Sequence, residues 1–197
     1  MRKSKDEAAR TRERIVSEAS ALFRERGLSD VSVADAMARA GLTHGGFYAH
    51  FGSRDELVAE AIRFALVQSA RRIYLNALKH GARPGYSKLI RIYLTTEHRD
   101  RPERGCVLAS LGSEIARSGG YCSDLFSEGF NEFVSLLAQL SPERSENARR
   151  AHLLSVIGAL SGALVLARAV NNADVSAEIL GSVRKTLLAD EERRLSN

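Results

Sequence analysis

Residues 32–51, SVADAMARAGLTHGGFYAHF, constrain the chain most, because their caps and stops leave room only for two short helices and a sharp turn. Ser32 with Asp35 three residues on forms an S-x-x-D capping box. Val33, Ala36, Met37 and Ala40 then recur at helical spacing and give one apolar stripe. Gly41 follows as a stop, since glycine enters the left-handed region cheaply. Thr43 is placed to cap a second helix, with Phe47 and Phe51 one turn apart as its buried face. Two helices joined by a short Gly-containing turn form a helix-turn-helix, whose second helix lies in the major groove of DNA.

Gly45 and Gly46 stand side by side in that second helix, and each costs about 1 kcal/mol relative to Ala in a helix interior. A helix whose backbone approaches another surface has a use for such residues. Thr43, His44, Tyr48 and His50 around them are all able to hydrogen-bond phosphate or base edges. An ordinary helical hairpin with Phe47, Tyr48 and Phe51 as core is the plainer alternative.

The segment GLTHGGFYAHFGSRDEL resembles the recognition-helix region of the tetracycline-repressor (TetR) family of bacterial transcription regulators. Gly41, Leu42, Thr43, Tyr48, His50, Phe51, Ser53, Arg54 and Leu57 fall in step with that pattern. The departures are Phe47 for an aliphatic, Gly46 for a larger residue and Arg54 for Lys. Gly46 offers only backbone to a base edge. The match covers about the first quarter of the chain. It implies a transcription regulator, usually a repressor, that a small-molecule effector in a second domain releases from its operator.

Apolar content of 44% in 197 residues supports a real core. Three Pro, no Trp and few alternating β-branched runs point to an all-α fold of about nine helices. The expected division is a helix-turn-helix domain at residues 1–52 and a regulatory, ligand-binding and dimerisation domain at residues 53–197. Net charge is +5, and Arg2, Lys3, Lys5, Arg10, Arg12 and Arg14 outnumber Asp6, Glu7 and Glu13 at the start. Such an arm can reach phosphate or a minor groove, or can be a solvated tail. Two cysteines make no disulfide framework. The polar start and the absence of an apolar run of about 18 residues predict a cytoplasmic protein with no membrane span.

In chain order, the periodicity predicts a helix over 7–26 and a long one over 53–79, opened by the capping box Ser53 to Glu56. A long helix of this kind would link reader and second domain. A break at Gly81, Pro84 and Gly85 precedes a helix at 86–95, a charged loop at 98–105, and helices at 106–117 and 121–140. Ser141-Pro142 reads as the start of a helix to about 170, whose middle is apolar all round and so buried on every side. Asp174 or Ser176 is expected to cap the last helix, with DEERRLSN as an exposed tail.

The DNA-binding residues expected from this reading are Ser32, Thr43, His44, Gly45, Gly46, Tyr48, His50 and Arg54. His44 and the Gly45–Gly46 backbone lie nearest base edges, and the others position the protein on phosphate. The partners are double-stranded DNA carrying a palindromic operator, and a second copy of the chain joined through the last two long helices. Two readers about 34–36 Å apart read such a palindrome. The effector set is Phe64, Tyr93, Cys106, Leu111, Phe126, Phe130 and Phe133, although an aromatic stripe is also what plain core looks like. Cys106 after Gly105 at a helix start is either a reactive thiol, which suggests a redox or electrophile sensor, or a small buried hydrophobe. No metal-ligand cluster, phosphate-cradling loop or nucleophile–base set is evident, so neither cofactor nor enzyme activity is expected.

Overall fold

The computed structural model describes residues 5–79 and 85–196. The arm residues Arg2 and Lys3, and the break from Gly81 to Pro84, lie outside the described residues. The described residues form helices and turns with no strand: α1 (Lys5–Arg26), α2 (Val33–Arg39), α3 (Arg54–Lys79), α4 (Ser87–Tyr93), α5 (Thr96–Asp100), α6 (Val107–Ser118), α7 (Gly120–Leu137), α8 (Glu146–Ala169) and α9 (Ala173–Ser196). Short 3-10 helices add His44–Ala49, Pro102–Arg104 and Ala138–Leu140.

The chain parts into two compact units, residues 1–66 with 102–130, and residues 67–101 with 131–197. This cut differs from the functional division expected after residue 52, because α6 and the start of α3 pack with α1. In the first unit Ile15, Ala19, Leu22, Phe23, Ala36, Met37, Phe47, Phe51, Leu57 and Ile62 are buried. They are the apolar positions that the helical period places on one side of each element. Gly41 sits at φ 69° and ends α2, a backbone geometry that other residues enter only with strain. Arg24 donates to the Glu103 carbonyl at 2.7 Å, and the Leu28 N–H donates to the Glu114 carboxylate at 2.7 Å, so α1 is tied to both ends of the α6 region.

The second unit is built on α8 and α9. Its core holds Tyr86, Ile90, Leu94, Leu137, Leu153, Leu160 and Leu164. Helix α8 is long and apolar enough to cross a membrane by length and composition, yet it serves as a core helix, with His152, Leu153, Val156, Ile157, Leu160, Ala163, Leu164 and Ala167 all buried. It is not buried on every side. Leu154, Gly158, Gly162, Val165 and Leu166 form an exposed, mostly apolar strip.

Several local expectations need correction. Helix α8 starts at Glu146, where Ser145 accepts from the Ala148 N–H at 3.1 Å. Ser141 does not cap it, because its hydroxyl is held 2.9 Å from His152 Nδ1 in the core. Asn172 caps α9 by accepting from the Val175 N–H at 3.0 Å, while Ser176 is buried and donates to the Ala167 carbonyl at 2.7 Å. The charged stretch 98–105 is mostly helical, because Thr95 caps α5 through the His98 N–H. The terminal segment is helical to Ser196, and Glu191 within it is buried.

Candidate functional site

Helix α2 begins with the expected capping box. The Asp35 N–H donates to Ser32 Oγ at 3.1 Å, and the Ser32 N–H donates to the Asp35 carboxylate at 2.9 Å. The Ser32 hydroxyl, which also donates to that carboxylate, and then the Ser32 N–H hold the Asp35 carboxyl below its usual range. The element after the turn is a 3-10 helix, His44–Ala49, where an α-helix was expected. Gly45-Gly46 disfavours α-helix, and the tighter i→i+3 pattern appears in the Gly46 N–H to Thr43 carbonyl bond at 3.2 Å.

Phe47 and Phe51 anchor this turn. Both are buried, and their rings stack 5.4 Å apart. Tyr48 leans edge-on against Phe47 at 5.2 Å but is 73% exposed. Thr43, His44 and Gly45 are also exposed, and the Thr43 hydroxyl makes no cap bond. Gly46 is half-buried, with Met37 Cε 3.6 Å from where its Cβ would stand. One short turn thus presents a hydroxyl, an imidazole, bare glycine backbone and a phenol side by side.

The other expected phosphate contacts are placed differently. Arg54 is turned inward: its Nε and Nη2 donate to the Val31 carbonyl at 3.3 and 3.1 Å, Nη2 also bonds the Leu28 carbonyl, and the guanidinium lies over Phe23. An arginine at a helix start suits phosphate in general, but the two carbonyls of the α1–α2 turn claim these donors. Ser32 has its hydroxyl engaged by Asp35. His50 is half-buried, and its carbonyl accepts from Arg12 Nε at 3.1 Å. Arg12 also pairs with Glu56 and Glu60, 44 and 48 residues away, a separation that gave no sequence signal.

The expected effector residues fall in both units. In the first, Leu111 is buried, Phe64 is half-buried, and Phe126 and Phe130 are half-buried and stacked 5.7 Å apart. Tyr93 and Phe133 are buried in the second. A cavity in each unit is lined by other residues. A cavity of about 260 Å³ in the second unit is walled by Ile73, Ala77, Leu89, Ile92, Leu140 and Leu195. Another, of about 320 Å³ in the first, is walled by Leu28, Arg54, Asp55, Val58, Tyr121 and Cys122. Cys106 stands at the N-cap position of α6 without a side-chain cap bond and is half-buried, while Cys122 is buried. Burial, then the Asp55 charge, push the Cys122 thiol above its usual range. Among the described residues no group of His, Cys, Asp and Glu could hold a metal.

Residues 15–61 match the family model of bacterial regulatory proteins, tetR family. Over 58 residues the chain is 40% identical to the HTH-type transcriptional regulator TtgR of Pseudomonas putida, an alignment covering 29% of this chain and 28% of TtgR. The match to this curated relative therefore spans little more than a quarter of its length. Across most of its length the chain has the fold of a TetR-family regulator from Cytophaga hutchinsonii, with a TM-score of 0.68, 21% identity and coverage of 97% and 98% of the two chains. The reduced form of E. coli NemR is similarly alike, at TM-score 0.67, 17% identity and coverage of 90% and 94%.

Proposed function

We propose, from the match of residues 15–61 to the TetR family model, that the chain is a TetR-family, sequence-specific DNA-binding transcriptional regulator, a repressor released from a palindromic operator by a small-molecule effector. The observation that carries the DNA-reading half is the outward display of Thr43, His44, Gly45 and Tyr48 on a turn pinned from behind by Phe47 and Phe51. Residues 1–52 read DNA in this account, and residues 53–197 supply effector binding and dimerisation. His44 and the glycine backbone lie nearest base edges, with Tyr48 and Thr43 on phosphate. The family relationship favours this role over that of an enzyme, and a DNA-binding role of this kind fits a cytoplasmic protein.

Dimerisation is a physical need, since one short turn contacts too few bases. The exposed strip Leu154, Gly158, Gly162, Val165 and Leu166 supports an interface through α8 and α9. The effector acts only by binding the DNA-incompetent form better than the competent one. A second reading, a thiol-based regulator, is favoured by Cys106 standing part-exposed at the N-cap of α6.

Selecting bound fragments from genomic DNA tests the main reading. The recovered duplex should bind at least about 10³ times more tightly than random sequence at one fixed salt concentration. His44→Ala should alter base preference at one or two positions, by about 1–3 kcal/mol each. Equal binding to all duplexes would make the protein a non-specific DNA binder instead.

A further inference from the structure

Arg12 is a base in the first turns of α1, and on charge alone it would be counted as a phosphate contact. Its surroundings give it other work. Nη2 donates to Glu56 Oε1 at 2.8 Å and to Glu60 Oε1 at 2.6 Å, and Nη1 bonds the second oxygen of Glu60. Nε donates to the His50 carbonyl at 3.1 Å, and the guanidinium lies 4.4 Å from the centre of the Phe51 ring. All three guanidinium nitrogens are thus engaged, on two carboxylates of α3 and on the residue that ends the reader turn. A fork of this shape holds a carboxylate through two parallel bonds, which a lysine ammonium cannot reproduce. The hydrogen bond to His50 and the stacking on Phe51 fix the exit of the 3-10 turn, whose entry is already set by the Gly46 N–H bond to the Thr43 carbonyl.

We propose that Arg12 is a positioning residue, which with Glu60 and Glu56 brackets α1 to α3 and holds the His44–Phe51 turn in the geometry that reads DNA, without itself contacting phosphate. The inference rests on the DNA-reading proposal above for its functional consequence, but not for the bracket itself. It separates from a phosphate role by sign. Glu60→Gln removes a negative charge beside a DNA-binding turn, so electrostatics alone would raise affinity for every duplex. The bracket instead requires that affinity for the selected duplex fall.

The test uses the full-length chain, a duplex recovered by selection with the wild type, and a random-sequence duplex. Arg12→Lys keeps the charge and should still lose affinity for the selected duplex by about tenfold or more, with an unchanged salt slope. Glu60→Gln should lose affinity in the same direction and narrow the ratio of selected to random binding. Hydrogen exchange without DNA should speed up at the amides of Gly46, His50 and Phe51 in both variants, while α8 keeps its protection. Wild-type affinity in Arg12→Lys, tighter binding in Glu60→Gln, or unchanged exchange in the turn would each overturn the proposal. If the wild type selects no duplex, the DNA-reading proposal fails, and the exchange result still decides whether the bracket exists.

Discussion

Glu191 Oε2 accepts a 2.6 Å hydrogen bond from the backbone N–H of Tyr86, 105 residues earlier in the chain. Both residues are almost fully buried, so a carboxylate near the end of α9 anchors the entry to α4. His152 Nε2 stands 2.6 Å from the other carboxylate oxygen, off the line of a straight hydrogen bond. The Tyr86 amide is therefore the firm hydrogen-bond partner, with the imidazole packed beside the carboxylate. Gly85 completes the fit: at φ 129°, a Cβ there would lie 2.8 Å from the same carboxylate oxygen.

Removing the carboxylate leaves the buried Tyr86 amide without its acceptor and opens a void beside His152. Glu191→Ala should destabilise the chain by about 3–5 kcal/mol, as broken buried pairs do. Glu191→Gln keeps an acceptor and should cost about 1–2 kcal/mol. Urea unfolding of the three proteins measures both. A Glu191→Ala protein unfolding at the wild-type midpoint would mean that the carboxylate contributes nothing to stability.

The pH dependence should carry the mark of His98. Its Nδ1–H donates to the Tyr93 carbonyl at 2.7 Å, and its ring meets Tyr93 edge-on. Burial first, with Arg168 and Arg72 adding repulsion, holds its pKa below 6.5 although the Tyr93 bond acts in the opposite direction. The folded state thus favours the neutral ring. That contribution is fully present above about pH 6.5, the unfolded value, and is lost as pH falls through the lower folded value. Unfolding free energy should decline from pH 7 to pH 5, and His98→Asn should decline less steeply. Parallel slopes for the two proteins would remove His98 as the cause.

The helices were legible because their period and caps are local. Ser32–Asp35 and the helix stop at Gly41 come from neighbouring residues, and those features stand as read. The errors share another origin. Ser141 carries a good capping signal, yet His152 claims its hydroxyl from the next helix. Glu191 sits in a run of charges that reads as solvent-facing, and only the return of α9 onto Tyr86 buries it. A side chain's polar partner is a tertiary fact that sequence spacing does not encode. The glycine pair told more than composition did: it marked the turn that became a 3-10 helix.

The two thiols should react in a fixed order. Burial and the Asp55 charge keep Cys122 protonated beyond the ordinary thiol range, and the thiolate is the nucleophile. Cys106 is part-exposed at the N-cap position of α6. At pH 8 Cys106 should therefore alkylate first, with Cys122 lagging until pH rises well above 9 or the protein unfolds. Mass mapping of iodoacetamide adducts against pH reads this directly. A Cys106 that alkylates no faster than Cys122 at pH 8 would end the thiol-sensor reading.

Gly162 gives the most direct access to subunit assembly. It lies on the exposed strip of α8, and a Cβ built on it meets nothing within 4 Å in its own chain. A larger side chain there should leave the isolated fold intact and act only on a second copy. Placed at the centre of a helix-to-helix contact, Gly162→Arg would drive a charge into an apolar interface, where it has no partner and little water. The variant should sediment as a monomer, unfold at nearly the wild-type temperature at low concentration, and bind the selected duplex at least about 100-fold more weakly, since each reader then engages its half-site alone. An intact dimer for Gly162→Arg would place the interface elsewhere, whereas a monomer that still binds the duplex at wild-type strength would show that paired readers are not needed.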